Sequence, residues 1–296
     1  MGDSCCASYS IGAIKAEIEQ QLGVYVHSIA TGSTAAADVW SSYFGSVNDQ
    51  VAGVCDELRS TPELAGGYNA VGFSQGGQFL RAVVQRCQHT GPTAHTLVTL
   101  GAQHQGVTNV PGCNTVPANL SGVQSLGSAL LTRTGCETMQ TVLGQGAYLP
   151  WVRDYVVQAQ YFKDPFRLDT YLAYNPFLPD INNELPAPRK KVQYASNLAS
   201  LARLVLFRFA QDSTVVPRDS AWFSTLRGSE LVELRGSPLY QEDWIGLRAL
   251  DESGRLELVE APGAHMQFTL QWFTEQVIQP YLTGSSASAH AAAAAA

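Results

Sequence analysis

Cationic side chains are scarce in this sequence: 18 Lys and Arg stand against 25 Asp and Glu, giving a formal charge of −7, and no stretch gathers basic residues. Such a chain repels a phosphate backbone, which excludes nucleic acid as a partner. Long apolar runs are also lacking. The most apolar stretches, such as Leu201 to Ala210, are broken by Arg203 and Arg208 and fall well short of the roughly 20 residues that a bilayer span needs. The only lipid contact expected is therefore a transient one with a membrane surface. The cysteines form no CxxC pair and the histidines no zinc-like spacing, so neither a metal nor another cofactor is expected. No internal repeat occurs.

What is present is apolar bulk, with 45% hydrophobic and 15% charged residues in 296, enough for one domain with a large core. The cysteines are an even set, Cys5, Cys6, Cys55, Cys87, Cys113 and Cys136, which fits three disulfides and an oxidising compartment. Export to such a compartment calls for a signal peptide, and the chain as given opens instead on Met1-Gly2-Asp3-Ser4-Cys5-Cys6. Asn119-Leu120-Ser121 matches the glycosylation acceptor pattern, which fits an exported protein.

Along the chain, helical periodicity from Ile11 to Leu22 gives way after Gly23 to the β-rich run Val24 to Ile29. A second helical stretch covers Val47 to Arg59. Tyr68 to Phe73 then reads as a short strand that runs into Ser74-Gln75-Gly76-Gly77, a helix follows to Cys87, and Thr96 to Leu100 reads as the next strand. This alternation predicts βαβ units feeding a parallel sheet with helices on both faces. From about 107 to 200 Pro, Asn, Gly and Ser become frequent and no strand is predicted, as in an inserted, mainly helical cap. Strand-like sequence resumes at Leu204 to Phe209 and Leu256 to Val259, and Phe268 to Leu282 has the periodicity of a closing helix. The expectation is a single α/β domain over 1–284, followed by a disordered Ser/Ala tail over 285–296.

Gly72-Phe73-Ser74-Gln75-Gly76 is a GxSxG sequence placed between a predicted strand and a predicted helix, the setting of a nucleophile elbow. The turn lifts the serine hydroxyl out of the sheet, and the amide of Gln75 faces the developing oxyanion. Serine is a weak nucleophile near neutral pH, so an acid and then a histidine must follow, in that order in this fold. Asp212 lies just past the Leu204 to Phe209 strand and His265 just past the last strand. Asp219 lies farther from its strand end, and His104 precedes the acid. The triad read from order alone is Ser74, Asp212 and His265. In the cap, Trp151, Val152, Tyr155, Val156, Phe177, Leu178 and Ile181 form apolar stripes that either line an acyl groove or make the cap's own core.

The sequence resembles the palmitoyl-protein thioesterase family. The resemblance rests on Gly2 to Cys6, the run Gly67 to Ala82, Gln85-Arg86-Cys87, and Gln103-His104-Gln105-Gly106-Val107. Later matches are Asp164-Pro165, Phe177-Leu178, Asp180-Ile181-Asn182, Asp212-Ser213, Val216-Pro217, Asp219 to Phe223, Leu239-Tyr240, Gly246-Leu247 and His265, so that it spans about residues 1 to 282. It implies an α/β-hydrolase fold and a monomeric enzyme, lysosomal and also secreted, that hydrolyses the thioester between a long fatty acyl chain and a protein cysteine. S-acylated proteins or peptides are the implied substrates. The same resemblance implies oxyanion donors at Gln75 and Met1, an acyl groove drawing on Trp151, Tyr155, Phe177, Leu178 and Ile181, and the disulfides Cys5–Cys6, Cys55–Cys87 and Cys113–Cys136. It also implies a short strand ending His-Gly just ahead of Met1, so the sheet is expected to lack its first strand. An acyl-CoA thioesterase, a lipase or an inactive acyl-binding module are the alternatives on the same residues.

Overall fold

The computed structural model describes residues 5, 7–8, 10–109 and 146–283, together with the backbone of 291–295. Its centre is a parallel sheet in which β2 (Tyr68–Phe73), β3 (Ala94–Leu100), β4 (Arg203–Phe209) and β7 (Leu256–Ala261) are hydrogen-bonded in that order. Buried on both faces, these strands read as near-continuous apolar runs: all six residues of β2 are buried. A separate antiparallel hairpin pairs β5 (Thr225–Arg227) with β6 (Glu230–Val232).

One face of the sheet carries α3 (Val47–Ser60), α4 (Gln75–Cys87) and the cap, which share a core that includes Val51, Leu58, Leu80, Leu97, Phe177 and Leu206. The other face carries α1 (Ile11–Leu22) and the closing segment, where Ile18, Val98, Phe207, Phe273 and Val277 pack together. The closing segment begins at Leu270–Phe273 and continues as a π-helix over Thr274–Leu282, with Pro280 inside it. Among the described residues of the cap there is no strand; short helices at Pro150–Arg153, Leu168–Tyr174, Leu178–Ile181 and Val192–Ala199 follow one another. The helix α2 (Ala35–Ser41) abuts the cap and is capped at Thr34, whose hydroxyl accepts from the amide of Ala37.

The expected gap at the first strand is filled, and the tail is where the structure departs from the sequence reading. The backbone of β8 (Ala291–Ala295) lies between β1 (Val26–Ser28) and β2, parallel to both. Without it, β1 and β2 would each present a row of unpaired main-chain donors and acceptors. Strand pairing is a main-chain affair, so an alanine run with little strand preference of its own can occupy the slot. Low side-chain content misled the sequence reading.

Cys55 on α3 is bonded to Cys87 at the end of α4, which ties the two helices on one face of the sheet. Cys5 is also disulfide-bonded, while its expected partner Cys6, along with Cys113, Cys136, Asn119 and Met1, lies outside the described residues. Because the Cys55–Cys87 bridge closes a loop with a sequence separation of 32, its removal in a Cys55→Ser/Cys87→Ser protein is expected to cost about 3.7 kcal/mol by loop entropy. Denaturant unfolding of the two proteins checks this; an unchanged midpoint would show that α3 and α4 are fixed by packing alone.

Candidate active site

β2 ends at Phe73 and α4 starts at Gln75, so a single residue makes the turn between them. Ser74 makes that turn with φ of 49°, a conformation that costs a non-glycine residue free energy. Its neighbours explain why the turn can be this tight. A Cβ on Gly72 would lie 2.6 Å from the Cα of Gly77, and one on Gly77 would lie 2.6 Å from the Cβ of Ala102. The second close approach thus falls at Gly77, one position beyond the GxSxG pattern. The amide of Gln75 is the first N–H of α4, where the helix supplies no carbonyl four residues back to accept it.

Residues 191 positions apart meet here: the Oγ of Ser74 lies 2.9 Å from Nε2 of His265, and Nδ1 of the same ring lies 2.7 Å from Oδ2 of Asp212. The other carboxylate oxygen of Asp212 accepts from the amides of Thr214 (2.9 Å) and Val215 (3.0 Å), which fixes the carboxylate plane. Asp212 follows β4 and His265 follows β7, so both stand at the C-terminal edge of the sheet, beside the end of β2. Space for the ring comes from Gly101, whose φ of 59° and lack of a side chain matter: a Cβ there would lie 3.1 Å from Cε1 of His265. Asp219 is engaged elsewhere, paired with Arg208.

Three residues near the nucleophile were given no role at the site by sequence alone. Gln103 is completely buried and its Nε2 donates to the Oγ of Ser74 at 3.0 Å. Tyr161, from the cap, donates its hydroxyl to Oε1 of Gln75 at 3.2 Å, tying the cap to the residue after the nucleophile. Arg81 is completely buried on α4 and reaches the cap through Ile181 O (2.9 Å) and Asn182 Oδ1 (2.9 Å), and the loop after β3 through His104 O (3.1 Å). Gln103 and Arg81 both lie in the runs that carry the family resemblance, but a pattern of single residues cannot say which of them touch.

The apolar candidates in the cap separate into two groups. Phe177, Leu178 and Ile181 are completely buried and belong to the core shared with α4, whereas Trp151 and Tyr155 are 65% and 56% exposed.

His104 sits behind the nucleophile rather than beside it. Its Nε2 is 3.0 Å from the hydroxyl of Thr99, and its ring stacks on Phe223 with centroids 4.5 Å apart. Burial, reinforced by the positive charge of Arg81, holds its pKa well below the ordinary imidazole range. The folded state therefore refuses a proton that the unfolded chain takes up near pH 6.5. The stability this provides is complete above about pH 6.5 and is lost as the pH falls below it, by about 1.4 kcal/mol per pH unit until the folded pKa is reached. His104→Gln is accordingly expected to lose less melting temperature between pH 7 and pH 5 than the parent does. Identical losses in the two proteins would contradict that account of His104.

The chain was compared with known proteins. Residues 1–265 match the family model described as palmitoyl protein thioesterase. The chain is 40% identical over 285 residues to palmitoyl-protein thioesterase 1 of Caenorhabditis elegans, covering 95% of this chain and 89% of that protein. It is 31% identical to palmitoyl-protein thioesterase 3 of Dictyostelium discoideum, over 93% and 85% of the two chains. It is 28% identical to a Drosophila melanogaster protein named lysosomal thioesterase PPT2 homolog, over 79% and 74%. The parallel sheet, the serine at the strand-to-helix turn and a family match over most of the length agree, and the chain belongs to the palmitoyl protein thioesterase family.

Proposed function

We propose that the chain is a serine hydrolase that cleaves the thioester between a long fatty acyl group and a protein cysteine, with Ser74 as nucleophile, His265 as general base and acid, and Asp212 as the group that orients His265. The observation that carries this reading is the continuous hydrogen-bonded line from Ser74 Oγ through His265 to Asp212 at the strand-to-helix turn. In such an arrangement His265 takes the proton of Ser74 as Oγ attacks the thioester carbonyl. Gln103, which donates to the same Oγ, supports its position for the attack. The tetrahedral intermediate places negative charge on the former carbonyl oxygen. The amide of Gln75, at the first turn of α4, is the donor proposed for it, with Met1 as the second.

Collapse of the intermediate expels the cysteine sulfur. A thiol has a pKa of about 8.5, so the sulfur departs with less help from an acid than an alkoxide would need; it takes up the proton that His265 holds and leaves as the thiol, which returns the imidazole to its neutral form. The acyl group remains on Ser74 Oγ. Water, deprotonated by His265, then attacks the acyl-enzyme; the Ser74 alkoxide leaves, regains its proton from His265, and the fatty acid is released. No cofactor takes part. The proposed setting is the lysosome, as three animal relatives are named lysosomal thioesterases, and the proposed working form is a monomer.

Turnover of a palmitoylated cysteine peptide, compared with palmitoyl-CoA and with a triglyceride, tests the substrate class. Highest kcat/KM on the peptide is expected. Preference for palmitoyl-CoA would redirect the reading to an acyl-CoA thioesterase, and preference for the triglyceride to a lipase. Palmitate binding with no turnover of any of the three would leave an acyl-binding module.

A further inference from the structure

On the cap and the adjoining α2, large apolar side chains stand in water. Trp40 is 43% exposed, Leu149 49%, Trp151 65% and Tyr155 56%. Two of them are joined through Phe44, whose ring lies 4.3 Å from that of Trp40 and 5.9 Å from that of Tyr155. Their support is rigid. The amide of Gly45 donates to Tyr155 O (2.8 Å), the amide of Val157 donates to Tyr43 O (2.9 Å), and Phe44 and Val156 form an antiparallel bridge. The same support leads directly to the nucleophile turn: Ser42 O accepts from the side chains of Gln158 (3.1 Å) and Gln75 (3.4 Å), and Gln75 follows Ser74.

The short helix Pro150–Arg153 forms a ridge at this surface. Trp151 and Arg153 are about 200° apart around it at 100° per residue, so they lie on opposite flanks. On the flank of Arg153 the character changes. Its guanidinium lies 5.2 Å from the ring of Tyr174, itself half exposed, and an open groove of about 810 Å³ follows, lined by Arg86, Arg153, Arg189 and Lys191 against Asp154 and Asp180. Arg86 and Lys191 both pair with Asp180 and Arg153 pairs with Asp154, which leaves a local excess of two positive charges in a chain whose net charge is −7.

We propose that this ridge, with Trp40, Trp151 and Tyr155 on one flank and the basic groove on the other, docks on the surface of an anionic lipid bilayer. The inference rests on the thioesterase reading for its purpose, because the acyl chain of an S-acylated protein lies in lipid and has to be reached there. Tryptophan and tyrosine favour the headgroup boundary, where the ring is desolvated and the polar tip stays wet. Basic side chains beside them are attracted to anionic headgroups, and the attraction weakens with salt. A docked ridge would hold the Ser74 turn close to the boundary without any part of the chain crossing it.

Vesicle binding by the full chain carrying Ser74→Ala separates this surface from catalysis, so it can succeed or fail whatever the substrate proves to be. Sedimentation with phosphatidylcholine vesicles, with and without phosphatidylserine, is expected to show binding that the anionic lipid strengthens. Adding Trp40→Ala and Trp151→Ala together is expected to weaken that binding about tenfold or more, as two partly buried indoles are lost from the interface. Arg153→Gln with Arg189→Gln is expected to remove the preference for phosphatidylserine. In the otherwise unmodified enzyme, Trp40→Ala is expected to leave turnover of a water-soluble acyl thioester unchanged and to slow turnover of a vesicle-bound palmitoyl peptide. The proposal is overturned if the parent does not sediment with anionic vesicles, if the tryptophan variants bind as the parent does, or if the surface instead pairs two copies of the chain in solution.

Discussion

Ser74→Ala is expected to lower kcat on a palmitoylated peptide by roughly 10⁴-fold or more, while the melting temperature stays the same or rises slightly. The size of the loss follows from what Oγ does. It accepts from Gln103 and faces Nε2 of His265, so its removal deletes the attacking atom and leaves the base with nothing to deprotonate except water. What survives is the donors around the carbonyl and the binding of the acyl chain, which alone give a small residual rate over water. The unchanged or higher stability follows from the turn. Alanine at φ of 49° carries much the same backbone strain as serine, and one hydroxyl poised for reaction contributes little to folding. A variant that kept more than a few per cent of the activity would remove Ser74 from the reaction. A variant that failed to fold would show instead that the turn depends on the hydroxyl, and Ser74→Cys would then be the informative replacement.

Arg81→Ala is expected to be the most destabilising single change among those considered. The guanidinium is completely buried with no carboxylate in contact, and it donates to Ile181 O, Asn182 Oδ1, His104 O and Gln85 Oε1 while lying 5.1 Å from the ring of Phe223. Burial pushes its pKa down to about 9, against the raising influence of Glu184 and Tyr171, so it remains charged at neutral pH. Alanine leaves these acceptors facing a void, except that Gln85 still reaches Ile181 O at 2.8 Å. Loss of several buried charge-assisted bonds together with a cavity is expected to cost about 3–5 kcal/mol. In a chain of this size that lowers the melting temperature by roughly 5–8 °C. Because the lost bonds join α4 to the cap, activity on long acyl chains is expected to fall further than activity on short ones, measured at a temperature where both proteins are folded. Equal loss on both would show that Arg81 supports the fold without shaping the cap.

Much of the fold was legible because it is written locally. Strands such as Tyr68–Phe73 and Arg203–Phe209 are short, apolar and bounded by turn residues, and their alternation with helices permits few topologies other than a parallel sheet. The reading of Ser74, Asp212 and His265 rested on a related regularity: each stands just after a strand, and in a parallel sheet all such positions share one edge, where the three side chains meet. Contacts across the cap were not readable. Nothing around Arg81 says that its partners are Ile181 and Asn182, about a hundred residues on, and nothing around Gln103 distinguishes it from Gln105. The apolar cap stripes were ambiguous for the same reason. Phe177 and Trp151 look alike in composition, yet one is completely buried and the other is mostly in water. The tail misled the reading because an alanine run lacks the side chains on which strand patterns depend, while its main chain pairs as well as any other.

The central claim is that acyl transfer passes through Ser74, and active-site labelling tests it most directly. The protein is treated with a long-chain alkyl fluorophosphonate, digested, and the adduct located by peptide mass spectrometry. A single adduct on Ser74, absent from Ser74→Ala and blocked by prior incubation with a palmitoyl thioester, is the predicted result. An adduct on another residue, or labelling that persists in Ser74→Ala, would contradict it.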